Sequence, residues 1–354
     1  MHPIENLLNQ QVEKGLTPSV QYRFFDAREC LFRHSVGLAN LETGKSPTCD
    51  TLYQGYSVTK TFTAVALLQL AERGILDLND PLKKHLPGLP YPTNITLQHL
   101  LSHSAGIANP MPLNWIHLPE EHVNFDEWAF FRPILQKNAK TGATPNEKFA
   151  YSNLGYVLLG KVIEQASGMA YTSYVERYIL DKLPLPPDSI GFHLAGTERS
   201  ATGYQSYFSL MNAVLGFMMN KRKFMLPRTG NWQAFRPLYV NGSAYGGLFG
   251  IPEAFMAYAQ ALLQPESVLL SGRSRQLMFT ENKLQNGQPS GMSLSWFCGQ
   301  LNGVPFRAHA GGGGGFYVEI RLYPTLQKGS AIFFNRTGVR DERFLDQVDS
   351  LILE

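Results

Sequence analysis

Residues 54–78, QGYSVTKTFTAVALLQLAERGILDL, decide how the chain reads. They set Ser57 and Lys60 one helical turn apart at the head of a long apolar run. Good helix formers follow from Thr61, with Phe62, Val65, Leu68 and Leu70 among the apolar positions, and Glu72-Arg73-Gly74 reads as a polar stop. Side chains at i and i+3 share a helix face, so the serine and the lysine start close together. That is the geometry of a nucleophile beside a base. A buried lysine loses hydration, its pKa falls, and its neutral amine can take the hydroxyl proton. The helix start adds free N–H groups and a positive dipole end that favour an anion nearby. Ser-x-x-Lys alone also occurs as an ordinary surface pair, so its partners decide the reading.

Composition narrows the function classes. The 354 residues are 44% hydrophobic and 17% charged, enough to bury a large core in one domain or two intimate ones. A net charge of +3 with acids and bases interspersed gives no sign of nucleic-acid binding. The one dense basic cluster, Lys221-Arg222-Lys223, reads as a solvated loop or helix face. No apolar run reaches the roughly 18 residues of a membrane span. The first residues, MHPIENLLNQQVEKG, lack a basic n-region and an apolar h-region and read as an amphipathic helix. Cys30, Cys49 and Cys298 show no CxxC spacing and suit a reducing compartment. A cytoplasmic location is therefore the expectation, or a periplasmic one if a leader has been removed. No motif implies a metal or an organic cofactor.

In chain order, VQYRFF and CLFRHSVG read as strands around the turn Asp26-Ala27-Arg28-Glu29. ITLQHLLSHSAG reads as a short helix with Thr96 as N-cap and Gly106 as its stop. His99 and His103 lie on it at i and i+4 without an HExxH motif or a third ligand, which favours structural roles over metal binding. Residues 107–144, with Trp115, Trp128, Phe130 and Phe131, show no clean period and read as an irregular excursion bordering a cleft. A clear helix follows, with Leu154, Val157, Leu158, Val162 and Ile163 as its stripe and Gly168 as its cap, and a second starts at Tyr171. Residues 184–244 resist assignment. They include a patch at 211–225 in which Phe217, Met218, Met219 and Phe224 line an acyl pocket or fill a core. A helix from Pro252, the strands LSWFCGQL, FRAHA, GFYVEIRLYP and SAIFFNR, and a closing helix ERFLDQVDSLILE complete the chain. The pattern predicts an α/β (α+β) fold with an antiparallel sheet flanked by helices. Residues 1–85 and 245–354 form its sandwich, and 86–244 a mostly helical part bordering the cleft.

Two further elements carry chemistry. Tyr151-Ser152-Asn153 precedes a helix, where the tyrosine could share a proton with Lys60 and Asn153 could hold a substrate carbonyl; plain capping of the helix entry is the alternative. His309-Ala310-Gly311 runs into a glycine series, residues 311–315, whose backbone can lie against a substrate and offer N–H donors. An oxyanion hole needs two such donors, and those of Ser57 and Gly312 are the natural pair. A flexible loop after a partly buried strand histidine is the plainer alternative. No GK[ST] or helix follows the glycines, so a phosphate loop is excluded.

The order Ser-x-x-Lys, Tyr-x-Asn and His-x-Gly resembles the serine β-lactamase and penicillin-binding-protein superfamily, whose class A members carry S-x-x-K, S-D-N and K-T-G. Tyr151-Ser152-Asn153 resembles the class C branch, with its D-Ala-D-Ala carboxypeptidase and family VIII esterase relatives. LLSHSAGI is similar to the family's LLxHTSG stretch, SAYGGLFGIPEAFMAYAQALL to its GGL segment, and HAGGGGGF to its last strand. The resemblance implies a β-lactamase-like fold and an acyl-enzyme on Ser57, with Lys60 as proton acceptor and Tyr151 relaying the proton to the leaving group. It implies substrate binding by Asn153, His309, Gly311 and Gly312. His309 stands where a β-lactamase usually has a lysine, a fixed cation for a substrate carboxylate. Near its reference pKa of about 6.5 it is mostly neutral at pH 7, which weakens the case for carboxylated β-lactams. The expectation is a carboxylic ester hydrolase acting on a small molecule. A D-amino-acid peptidase or amidase (or a β-lactamase) is the alternative, and a non-catalytic binding protein a further one. The oligomeric state is left open.

Overall fold

The computed structural model describes residues 2–194, 198–337 and 343–353. The side chains of Met211 and Phe217, and Glu342 and Glu354 of the expected closing helix, lie outside the described residues. An antiparallel sheet of six strands forms the spine. Its strands are β1 (Ser19–Asp26), β2 (Cys30–Gly37), β3 (Phe297–Leu301), β4 (Val304–Gly313), β5 (Phe316–Tyr323) and β6 (Lys328–Phe334). The spatial order is β3-β4-β5-β6-β1-β2. The first hairpin is thus stitched to the last strands, with Val20 opposite Phe334 and Asp26 opposite Lys328. Asp26 closes that hairpin by accepting the N–H groups of Arg28 and Glu29, the local bond that makes aspartate a turn residue.

Alternation along the strands sorts the two faces. Val20, Tyr22 and Phe24 meet Ile4 and Leu8 of α1 (Pro3–Glu13) and Leu345 and Val348 of α5 (Phe344–Asp349). Phe25, Val318 and Ile320 join the larger core on the opposite face. There they share a cluster with Phe62 of α2 (Thr59–Glu72) and Phe255 of α4 (Pro252–Leu263). α2 is buried at every position from Thr59 to Leu70. A helix enclosed on all sides belongs at the centre of a large core. Phe62 stacks on Tyr258 of α4 with ring centroids 3.7 Å apart, and this enclosure is what takes Lys60 out of water. α3 (Asn153–Ser167) ends at Gly168 in the left-handed conformation, φ 70°, as the sequence predicts.

Four stretches differ from expectation. The helix capped by Thr96 stops at Leu101, well before Gly106. Ser102 turns its hydroxyl back onto the Gln98 carbonyl, and His103 takes φ 52°, which ends the helix. Residues 107–144 contain a regular helix, Glu127–Lys137, capped by Asp126 and carrying Pro133 inside it. Residues 184–244 hold strands as well as helix. Tyr204–Ser206, Trp232–Phe235 and Met225–Thr229 form a small sheet around the helix Leu210–Met218. The strand expected from Leu294 begins only at Phe297, after a left-handed turn at Ser295, φ 72°.

Candidate active site

Ser57 sits in a 3-10 turn, Tyr56–Val58, that runs straight into α2. Tyr56 takes φ 44°, a conformation costly for an aromatic residue and held only by strong surroundings. Its ring ends against Gly314, where an added Cβ would lie 2.0 Å from Tyr56 Oη. Gly311 closes the other side: a Cβ there would lie 2.1 Å from the Gly55 carbonyl oxygen and 2.8 Å from Ser57 N. The glycine run is not a loose loop. Residues 311–313 continue β4 in register with β5, Gly312 opposite Tyr317.

Gly311→Ala is therefore expected to push the nucleophile turn aside and cut activity by about 10²-fold, since a 1 Å displacement of catalytic groups has that effect. Its melting temperature should fall as well. Gly312→Ala, whose Cβ meets nothing nearer than 3.7 Å, should melt near wild type. Equal melting of the two variants would refute the close-approach account.

Lys60 Nζ lies 2.9 Å from Ser57 Oγ and donates to the Tyr245 carbonyl at 2.8 Å. The lysine is fully buried, with the rings of Tyr151, Tyr156 and Tyr245 5.1, 5.5 and 5.2 Å from the amine. Burial holds its pKa well below the ordinary lysine value. Tyr151 Oη donates to the same Ser57 Oγ at 3.0 Å, and burial pushes its pKa up, so it is a protonated phenol. The ring of Tyr151 packs on His103, centroids 4.2 Å apart, and His103 Nδ1 accepts the Ser152 N–H. His99 accepts the Thr96 N–H in the same helix's capping box. Both histidines are thus held in structural hydrogen bonds.

Ser152 caps α3 by accepting the Gly155 N–H, and this presents Asn153 at the helix start. Asn153 Oδ1 is buried with no hydrogen-bond partner among the described residues, and Asn153 lines the cavity beside Ser57. His309 is placed differently from its expected seat in the substrate wall. It is fully buried, and its Nδ1–H donates to the Ser295 carbonyl, which leaves Nε2 as an unprotonated acceptor. Burial first, and the neighbouring Lys60 second, push its pKa down to about 3. Ala308, Ala310 and Gly312 line the groove on the other face of β4. Strand alternation puts residue 309 inward, on the same side of β4 as Gly311 and the Ser57 turn.

Ser57 opens onto a cavity of about 270 Å³ walled by Tyr56, Trp115, Leu215, Met219, Phe235 and Val240. No Asp, Glu, Lys, Arg or His is among its described lining residues. Part of the Met- and Phe-rich patch packs in a core and part faces the cavity. Leu215, Met219, Phe224, Met225 and Phe235 form a small core, and the first two of these, with Phe235, also face the cavity. A second groove of about 920 Å³ runs from Tyr151 and Gly312 past Phe297 and Tyr317 to Arg321. Sequence reading missed Tyr245 and Phe235, and placed Trp115 only within a stretch bordering a cleft. The one available signal was that Tyr245 lies in the glycine-rich turn before α4. Among the described residues no three His, Cys, Asp or Glu side chains converge as metal ligands. No described helix is long and apolar enough to cross a membrane.

A serine contacted by a buried lysine and a tyrosine, beside an apolar cavity, is the site of a serine hydrolase. The Beta-lactamase family model matches residues 4–354, and the chain belongs to that family. It is 26% identical to Penicillin-binding protein 4* of Bacillus subtilis (strain 168) over 306 residues, 83% of this chain and 63% of that protein. The chain thus spans less than two thirds of that relative's length. It is 25% identical to the D-alanyl-D-alanine-carboxypeptidase/endopeptidase AmpH of Escherichia coli (strain K12) over 349 residues, 93% of this chain and 82% of that protein. The octameric penicillin-binding protein homologue from Pyrococcus abyssi has the same fold, with a TM-score of 0.78 at 24% identity over 99% of this chain and 76% of that one.

Proposed function

We propose that the protein cleaves uncharged carboxylic esters through an acyl-enzyme on Ser57. The observation that carries the reading is the convergence of Lys60 Nζ and Tyr151 Oη on Ser57 Oγ at 2.9 and 3.0 Å. Neutral Lys60 takes the Ser57 proton as Oγ attacks the carbonyl. The N–H groups of Ser57 and Gly312 hold the developing oxyanion. Tyr151 passes a proton to the departing alkoxide, and the same groups then direct a water onto the acyl-enzyme. Gly311 serves by letting β4 approach the nucleophile, and Asn153 offers its free Oδ1 to a donor on the substrate. His309 acts from beneath as a neutral packing group. The apolar, uncharged cavity supports a hydrocarbon acyl group over a carboxylated one.

A second reading, hydrolysis of D-amino-acid peptides or amides, draws support from the similarity to AmpH. Hydrolysis of p-nitrophenyl butyrate beside matched D-alanyl p-nitroanilide and nitrocefin separates the readings. Ester turnover at least tenfold above the other two is the expected result. Faster amide or nitrocefin turnover would replace the ester reading.

A further inference from the structure

The helix Leu210–Met218, LMNAVLGFM, contains no charged residue. Surface helices normally turn a polar face to water. This one turns apolar side chains outward as well as inward. Asn212 and Leu215, with Met219 just beyond, are buried, and Asn212 is tied to Lys221 Nζ at 2.8 Å and to the Tyr207 carbonyl at 2.9 Å. The solvent side carries Leu210, 83% exposed, and Met218, 43% exposed, and Phe208 just before the helix is 74% exposed. Isolated exposed hydrophobics are ordinary, but a grouped set on one element marks a contact surface.

Cations border this apolar face. Arg228 lies over the rings of Tyr207 and Phe208 at 4.7 and 5.6 Å. The basic run at 221–223 starts beyond the helix end, with Arg222 exposed. Lys223 is spent on Glu121, but Arg222 and Arg228 enter no ion pair among the described residues. Apolar side chains flanked by unpaired arginines fit the boundary between anionic headgroups and acyl chains, where each surface cation and each inserted side chain adds to binding.

We propose that residues 207–228 seat the protein on an anionic lipid surface. Phe208, Leu210 and Met218 enter the acyl boundary, and Arg222 and Arg228 reach the phosphates. The inner side of the same helix presents Leu215 to the cavity beside Ser57, so docking would bring that cavity against the lipid. The inference holds whichever bond Ser57 cleaves, because binding is read without turnover.

The test is co-sedimentation of the whole chain with phosphatidylcholine vesicles with or without phosphatidylglycerol, at low and high salt. Wild type should bind the anionic vesicles and release at high salt. Phe208→Ser/Leu210→Ser and Arg222→Glu/Arg228→Glu should each bind about tenfold more weakly or less, by loss of apolar insertion and of headgroup attraction. Their melting temperatures should stay near wild type, because all four positions face solvent. No binding by wild type, or equal binding by Phe208→Ser/Leu210→Ser, overturns the proposal. So does concentration-dependent self-association of wild type that the serine variant abolishes, which would assign the face to a second copy of the chain.

Discussion

Ser57→Ala is expected to remove turnover on every substrate while leaving the chain folded. Oγ is the atom on which Lys60 and Tyr151 both converge. Loss of a nucleophile that works with its base as a unit costs on the order of 10⁶-fold in kcat in a serine protease. The structural cost is small by comparison. Lys60 keeps the Tyr245 carbonyl, and Tyr151 loses its bond to Ser57 at a half-buried position that opens onto the groove. Steady-state hydrolysis of p-nitrophenyl butyrate and a thermal melt check both halves. Residual activity above about 1% of wild type would remove Ser57 as the nucleophile and would require another residue to carry the acyl group.

Lys60→Met should lower the acylation rate by about 10²–10⁴-fold, the usual yield of a positioned general base, while filling nearly the same volume. A loss below tenfold would end the case for Lys60. The pH dependence gives a second signature. Burial lowers the lysine's pKa in the folded protein, whereas the unfolded chain titrates near 10.4. Between those two values the unfolded state binds more protons than the folded one, so stability rises with pH across that window. It is flat with respect to this group below the folded pKa, where both states are protonated. The difference in unfolding free energy, wild type minus Lys60→Met, should therefore climb with pH above the folded-state pKa, towards about 10. A flat difference would mean that Lys60 is solvated in the native state. The same titration predicts a rate that rises through the folded-state pKa of Lys60, as the amine becomes neutral.

What the sequence made legible, and what it hid, follows from the range of the interactions involved. Ser57 and Lys60 are three residues apart, so helix geometry brings them together unaided. Thr96, Gly168 and the Asp26 turn are equally local and were readable from cap and turn chemistry. The helix Glu127–Lys137 was hidden because Pro133 breaks its propensity pattern, and only the fold compensates. The seat of His309 was hidden for another reason. Alternation states that residues 309 and 310 face opposite ways, but which side is cleft depends on how the turn Tyr56–Val58 crosses β4. Tyr56 at φ 44° and the contact of Gly311 with Gly55 are also products of that crossing. Gly311 shows the limit well: a glycine needed for close approach reads in sequence like a glycine in a hinge.

The pairing of β1 with β6 also fixes when the molecule can become itself. Val20 waits for Phe334, and at ribosomal speeds of 5–20 residues per second the partner is made roughly 15–60 s after the strand that needs it. Through that interval the first hairpin has an open edge and only α1 to cover one of its faces, in a chain whose decisive contacts are remote in sequence. A nascent molecule halted anywhere before β6 has the residues of its nucleophile turn but no completed sheet to hold them. Activity should thus switch on abruptly, once β6 has been made, rather than accumulate as the chain lengthens.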